Sequence, residues 1–478
     1  MKLLAAALLI ASTGLAPANA QAIHLEAENA QLTGPDLRAV RPDLDSRPQR
    51  AGYSGTGYVT GFDKTEDRLI FHFKVKTAGI YLLKLSYACE HQKGYQVEVN
   101  GSALTGTFAA TGSRFDTVSL GKVELPTGPN TITIDRGWGY FDIDAVDLNL
   151  APPPRPLTRP TDAISDPEAT PEAIALLARL DDSYGKGTLL GVYSDEDARY
   201  AQQTTGLRPA IMGGDLIDYA TTPIAHGTHP VETERLLADA RAGYTITLSW
   251  HWRPPLGVLD KVMPNGDDAR WYTSFYTRAT TFDLTTAMRD ENSPERIALI
   301  KDIDLIAAQL KRLQAAGVPV LWRPLHEAQG RWFWWGAKGP KPFVWLWQFT
   351  YNRLVHEDGV HNLVWVFTSG DDPAWYPGDA YVDIIGIDAY PDDLHDPQSA
   401  LWDTLLQQHL GHKPLAISEF GGVPDIPKMQ RFGEFWSYAV SWQNDLGPKK
   451  NSADELKRIY TYSGSITLPP LIPGPPHP

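Results

Sequence analysis

The hydrophobic pattern changes period partway along the chain. From residue 23 to 150, apolar and polar positions alternate in short runs such as Leu69-Ile70-Phe71-His72-Phe73-Lys74-Val75 and Gln96-Val97-Glu98-Val99. Successive side chains of a strand point to opposite faces, so a period of two marks strands with one buried face. Turn residues at Asn100-Gly101 and Thr127-Gly128-Pro129-Asn130 separate the runs. Short strands at this spacing predict a β-sandwich over residues 21–150. Ala151-Pro152-Pro153-Pro154-Arg155-Pro156-Leu157-Thr158-Arg159-Pro160 follows, and its prolines predict a stiff linker over 151–169.

Beyond the linker, apolar runs alternate with longer helical patterns. The runs lie near Leu189 to Tyr193, Ala210 to Leu216, Tyr244 to Trp252, Val318 to Leu325, Leu363 to Thr368, Val382 to Ile387, Leu415 to Ile417 and Tyr438 to Trp442. Between two of them, Pro294 to Ala316 carries Ile297, Ile300, Ile303, Ile306 and Leu310 at helical spacing. Eight strand–helix units predict a closed (β/α)8 TIM barrel over residues 170–467, with an open doubly wound sheet as the alternative. The proline-rich stretch 468–478 predicts a loose tail.

The termini and the composition narrow the setting. Lys2, the apolar run Leu3 to Ile10 and the ending Ala18-Asn19-Ala20 have the form of a secretory signal peptide over residues 1–20, too short to span a membrane. The expected location is extracellular. The 478 residues carry 43 Lys+Arg against 57 Asp+Glu, a formal charge of −14, which argues against nucleic acid or an anionic membrane surface as partner. The single Cys excludes an intrachain disulfide and any multi-thiolate metal site.

In a (β/α)8 barrel, chemistry sits at the carboxyl ends of the strands. Those ends present Asp215, His251, His326, Glu327, Asp388, Tyr390, Glu419 and Trp442. Glu327 and Glu419 each follow an apolar strand and precede a glycine-bearing loop, 92 positions apart, so only the fold can bring them together. Strands four and seven of a barrel would do so, and two facing carboxylates suit a retaining glycosidase, one as acid/base and one as nucleophile. Other chemistries lack their residues. His326-Glu327-Ala328-Gln329-Gly330 has no second His for a zinc site, and no nucleophile elbow, Walker loop or dinucleotide fingerprint occurs.

Fourteen of the 15 tryptophans lie between Trp250 and Trp442. Trp332, Trp334 and Trp335 closely follow Glu327, and Trp332, Trp335 and Trp271 are candidates to stack on sugar faces, whose C–H groups suit a flat π surface. Ahead of the linker, Trp138 stands between Gly137 and Gly139, a tight loop that would expose its ring to a ligand. Glu26 and Glu28 alternate in the first strand and Asp144 lies in the last. A sandwich brings its terminal strands together, so a structural calcium ion could be held by these acids.

These motifs resemble glycoside hydrolase family 26, the β-mannanases. Arg323-Pro324-Leu325-His326-Glu327 is similar to that family's acid/base segment, and Ile417-Ser418-Glu419-Phe420-Gly421 to its nucleophile segment. The resemblance implies Glu327 as acid/base, Glu419 as nucleophile and His326 near the reacting sugar's 2-hydroxyl. It implies further that His251, Tyr390 and Trp442 line the cleavage subsite, supported by Asp215 and Asp388. Residues 23–150 resemble a family 35 carbohydrate-binding module through Glu26-Ala27-Glu28, Gly55-Thr56-Gly57-Tyr58-Val59 and Trp138-Gly139-Tyr140-Phe141-Asp142-Ile143-Asp144. Such modules carry structural calcium and bind plant wall polysaccharide, and this order of domains resembles fungal mannanases. The expectation is a secreted, monomeric, retaining endo-β-1,4-mannanase that needs no cofactor for catalysis and acts on mannan, glucomannan and galactomannan. The alternatives are a same-family enzyme on mixed-linkage glucan or β-1,3-xylan, and a non-catalytic polysaccharide-binding protein.

Overall fold

The computed structural model describes residues 22–41, 50–154, 156–368, 370–409 and 411–470. The expected signal peptide, 1–20, lies outside them. The chain separates into two compact units between Pro152 and Pro153.

The first unit is a sandwich of antiparallel strands: β1 (Ala22–Glu26), β2 (Gln31–Thr33), β3 (Arg38–Val40), β4 (Tyr58–Thr60), β5 (Arg68–Val75), β6 (Gly79–Ala88), β7 (Lys93–Val99), β8 (Ser102–Phe108), β9 (Asp116–Leu125), β10 (Gly128–Asp135) and β11 (Asp142–Leu150). One sheet runs β3-β4-β11-β6-β9 with β1 also on β11, and the other runs β2-β5-β10-β7-β8. The alternation does what it predicts. On β5, Leu69, Phe71, Phe73 and Val75 are buried in the core between the sheets, whereas Arg68, His72 and Lys74 face water. Cys89 is a buried thiol donating to the Ala109 carbonyl at 3.2 Å, and burial pushes its pKa up.

The second unit is a closed parallel barrel. Its strands are β12 (Thr188–Val192), β13 (Ile211–Asp215) and β14 (Thr245–Trp250), then, after a small antiparallel hairpin of β15 (Lys261–Val262) and β16 (Asp268–Ala269), β17 (Val320–Pro324), β18 (Leu363–Thr368), β19 (Ile384–Ala389), β20 (Leu415–Phe420) and β21 (Tyr438–Ser441). β21 pairs back onto β12, which closes the ring, and β22 (Ser465–Ile466) pairs in parallel with the start of β12. Alternation again sorts the faces. Leu189, Ile211, Leu321, Val364, Ile384 and Val440 fill the barrel, while Leu190, Met212, Val320, Trp322, Ile385 and Ile417 pack under the helices.

Three expectations change. The helix Pro294–Ala315 buries Leu299, Ile303, Ile306 and Leu310, but Ile297 in its first turn is 59% exposed, so the buried stripe begins at Leu299. The linker expected over 151–169 is shorter. From Leu157 onward the chain is held to the barrel, by Leu157 packed against its core, Arg159 on Asp182 (2.8 Å), Asp162 on Lys413 (3.2 Å) and the Ser165 amide on Asp383 (2.6 Å). The tail expected from 468 begins later, because Leu468 exchanges backbone hydrogen bonds with Arg208 and the Pro469 carbonyl accepts the Arg208 guanidinium. Residues 471–478 lie outside the described residues. No helix among the described residues is long and apolar enough to cross a membrane.

Candidate active site

Period-two alternation decides which side chains reach the barrel axis. On β17, Leu321 packs inside and Trp322 outside, so Arg323 faces inward and is fully buried. A buried guanidinium needs partners that offset its desolvation. Nη1 donates to Asp388 Oδ2 at 2.9 Å, and Nη2 donates to the Tyr193 hydroxyl at 3.2 Å and to Glu419 Oε1. Asp388 reaches this position by the same alternation, with Ile385 and Ile387 turned to the helices.

Glu419 does not follow the alternation. Ala416 faces inward and Ile417 outward, so a regular strand would turn Glu419 toward the helices. Pairing between β19 and β20 instead skips from Ile417 to Glu419, leaving Ser418 as an extra residue. Such a bulge re-aims the side chain that follows it. The Ser418 hydroxyl is taken up by Thr368 at 2.9 Å, and Glu419 Oε2 accepts the Tyr390 hydroxyl at 2.5 Å.

Glu327 lies just past β17, where Leu325 (φ 53°) and Glu327 (φ 54°) both adopt left-handed backbone around His326. Each such residue costs about 1–3 kcal/mol and persists only where its surroundings enforce it. Here the Glu327 amide donates to the Thr368 carbonyl at 2.7 Å, and the Trp335 indole donates to the His326 carbonyl at 2.8 Å. The turn brings the carboxylate over the strand ends. Oxygens of Glu327, Asp388 and Glu419 lie within 4.8 Å of one another.

Charge is distributed unevenly over this cluster. Burial, then the neighbouring Glu419 charge, pushes the Glu327 carboxyl up, against the pull of Arg323 and of the Trp332 indole. Burial also pushes Asp388 well up. His326 is held neutral by burial and by the adjacent Arg323 and His251. Burial would lower His251, but Asp215, whose Oδ2 meets its Nδ1 at 2.5 Å, outweighs that and raises it. The His251 and His326 Nε2 atoms lie 3.2 Å apart.

The structure thus gathers Glu327, Glu419, Asp388, Tyr390, His326, His251 and Asp215. Trp442 borders them, 4.7 Å from the Tyr193 ring and 6.2 Å from His251. A groove of about 540 Å³ leads from this point past Asp195, Glu232, Tyr276 and Gln443. Trp332 is 47% exposed and its indole donates to Glu327 Oε2 at 3.0 Å. Trp335 is a correction: it is fully buried against Phe333 and braces the loop through His326, so it offers no face to a sugar. Trp271 stacks on His226 at 4.7 Å with the Arg253 guanidinium 5.1 Å from its ring, and no contact joins it to the carboxylates.

Two residues carry more here than their sequence positions suggested. Arg323 interrupts the apolar run of β17, and a charge at an inward position was the available signal. Tyr193 closes the β12 run and carries no such mark. Because Arg323 is shared by two buried carboxylates, Arg323→Met is expected to destabilise the barrel by about 3–5 kcal/mol in urea unfolding. A loss under about 1 kcal/mol would show that these acids do not depend on it.

In the first unit, Trp138 is 62% exposed and Tyr140 60%, with Lys93 5.1 Å from the Tyr140 ring centroid. β1 pairs with β11, as terminal strands of a sandwich do. Glu28 lies in a 3-10 turn, Ala27–Asn29, rather than in the expected strand. Even so, Glu26 and Glu28 converge on Gly55 (φ +60°), where a Cβ would come within 2.6 Å of the Glu26 carboxyl carbon and 2.7 Å of Glu28 Oε1. Glu28 Oε2 is buried with no hydrogen-bond partner. Asp144 is committed to serine donors, the Ser54 amide at 2.9 Å and the Ser86 hydroxyl at 2.8 Å.

Comparison with known proteins agrees with both halves. Residues 165–469 match the model of glycosyl hydrolase family 26, and residues 24–151 match that of carbohydrate binding module family 35. A mannan endo-1,4-beta-mannosidase of Thermothelomyces thermophilus is 36% identical over 463 residues, 96% of this chain and 92% of that protein. The crystal structure of a Podospora anserina GH26-CBM35 beta-(1,4)-mannanase superposes with a TM-score of 0.65 at 35% identity, covering 93% of this chain and 97% of that one. A beta-mannanase from a symbiotic protist of the termite Reticulitermes speratus, complexed with gluco-manno-oligosaccharide, superposes over 65% of this chain and 97% of its own with a TM-score of 0.56 at 30% identity. The chain therefore belongs to glycosyl hydrolase family 26, a glycoside hydrolase built on a (β/α)8 barrel behind a family 35 carbohydrate-binding module.

Proposed function

We propose that this protein is a secreted endo-β-1,4-mannanase that hydrolyses mannan, glucomannan and galactomannan with retention of configuration. The observation that carries the reading is the approach of the Glu327 and Glu419 carboxylates, whose oxygens lie within 4.8 Å. Retaining enzymes hold the pair at about 5–5.5 Å and inverting ones at about 6.5–9.5 Å, because only the latter must fit a water between the sugar and the carboxylate that acts as base. Likeness to proteins described as mannanases over nearly the whole chain supports the substrate class.

In this reading Glu419, oriented by Arg323 and Tyr390, attacks the anomeric carbon and forms a covalent glycosyl-enzyme. Glu327, kept protonated by burial, donates to the leaving oxygen and then takes the proton of the incoming water. Neutral His326 and the Asp215-braced His251 border the reacting sugar and bond its hydroxyls, and Trp442 stacks on its face. Reducing-end release from mannan, lichenan and β-1,3-xylan tests the assignment. Release confined to mannans is expected, while release only from the others, or retention of mannan in an affinity gel without hydrolysis, contradicts it.

The first unit is proposed to bind wall polysaccharide through Trp138 and to hold a calcium ion through Glu26, Glu28 and Asp144, the last of which also braces the Ser54 loop. The partnerless Glu28 oxygen is the observation that favours a cation there. The ion would tie the first strand to that loop and stabilise a unit without disulfides. Calcium at about 100 times its Kd is expected to add about 2.7 kcal/mol to unfolding of this unit. A calorimetric transition that rises with calcium, falls with chelator and becomes indifferent in Glu28→Gln bears this out. A wild-type transition that ignores calcium contradicts it.

A further inference from the structure

The Trp332 indole is held by its surroundings in a way that a simple sugar platform would not need. Its backbone carbonyl accepts the Thr277 amide at 2.7 Å, which anchors the main chain beside the neighbouring loop. Its six-membered ring lies flat over Gly330, where a Cβ would come within 1.9 to 2.3 Å of three ring carbons. That close approach directs the indole N–H to Glu327 Oε2 at 3.0 Å. Any residue larger than glycine at 330 would displace the ring, so the bond depends on both positions.

We propose that Trp332 is a positioning residue for the general acid: its N–H occupies Oε2 of Glu327, which leaves Oε1 as the oxygen that carries and delivers the proton. The inference rests on the assignment of Glu327 as acid/base. Its physical basis is the geometry of a carboxyl group, in which an oxygen that accepts a strong N–H bond is the poorer site for the proton. A carboxyl free to rotate would present the proton on either oxygen. The indole selects one, and it does so from the rim of the cleft, where the rest of its face stays open. It also weakens the acid, since a donor favours the carboxylate. The site tolerates that because burial and Glu419 push Glu327 the other way.

The test is the pH profile of kcat/KM. Glu327 is faced by Arg323 on β17, His251 at the end of β14, Asp388 on β19, which also hydrogen-bonds the Glu327 carboxyl, Tyr390 just past β19 and Glu419 on β20, and none of these is altered by a change at Trp332 or Gly330. Trp332→Phe keeps an aromatic face and removes only the donor. Gly330→Ala keeps the donor and displaces the ring. Both variants are expected to move the alkaline limb upward by about one pH unit, because removing a hydrogen bond to the carboxylate raises the acid's pKa. Both are also expected to lower kcat/KM on polymer several-fold and kcat/KM on a dinitrophenyl glycoside by much less, since kcat/KM reports the first step and that leaving group needs no proton there.

The profile is run on whichever of mannan, lichenan or β-1,3-xylan the wild-type protein cleaves, with folding of each variant checked by thermal unfolding. A wrong substrate assignment then shows in the wild type and leaves the limb measurement intact. If KM rises in Trp332→Phe while the alkaline limb stays in place in both variants, Trp332 is a sugar platform alone and the proposal is overturned.

Discussion

Replacing Glu419 by alanine is expected to lower mannan hydrolysis by at least ~10³-fold while the protein stays folded. Glu419 is almost fully buried at the end of β20, with Oε1 on Arg323 and Oε2 on Tyr390. Those two donors fix the plane of the carboxylate, so attack needs no search for orientation. Asp388 cannot replace it, because that carboxyl is bound to the same guanidinium and burial pushes its pKa well up. The deletion leaves a small cavity on the face of attack, where azide fits. Azide should restore part of the rate toward an activated β-mannoside and give the α-mannosyl azide, the product of a single displacement. Near-normal activity without azide would remove Glu419 from the nucleophile's role.

Glu327→Ala should show a different pattern. General acid catalysis contributes about 10²–10⁴-fold, so hydrolysis of mannan, with its poor leaving group, should fall by that factor. A dinitrophenyl glycoside, which leaves without a proton, should still be consumed in the first step. The pH dependence has a definite sign. The protonated form of Glu327 is the active acid, and its pKa is raised by burial and by Glu419, so activity persists above the ordinary carboxylate range and is lost as pH rises through the raised pKa. That alkaline limb should disappear in Glu327→Ala. A limb that survives unchanged would belong to another group.

Much of this site was readable from the order of residues, and the exceptions have physical causes. All eight barrel strands announced themselves as apolar runs, and β18 has the bounds that the pattern predicts, Leu363 to Thr368. Runs of that kind come from burial on both faces, which composition records directly. The inward direction of Glu419 was not readable, because strict alternation points it outward and only the bulge at Ser418 reverses it. The left-handed turn at Leu325 and Glu327 was equally hidden, since neither residue is a glycine or asparagine that would advertise it. The tryptophans after Glu327 could not be sorted by spacing. Trp334 and Trp335 go into the core and Trp332 to the rim, decided by how the loop folds over Gly330 and Ala328 rather than by any local pattern. The linker misled for a simpler reason: its prolines predict extension, and extended chain can dock as readily as it can hang free. Arg159, Asp162 and Ser165 each find a partner on the barrel.

The pairing of Glu327 and Glu419 as acid/base and nucleophile is tested most directly by the configuration of the product as it forms. Proton NMR of borohydride-reduced mannopentaose, which has no reducing end of its own, during the first minutes of hydrolysis, before mutarotation equilibrates the newly formed ends, resolves the two anomers. Two displacements at one carbon restore the starting configuration, so the β-anomer should appear first and the α-anomer only later at the rate of mutarotation. Initial formation of the α-anomer would mean a single displacement by water and would contradict the role given to Glu419.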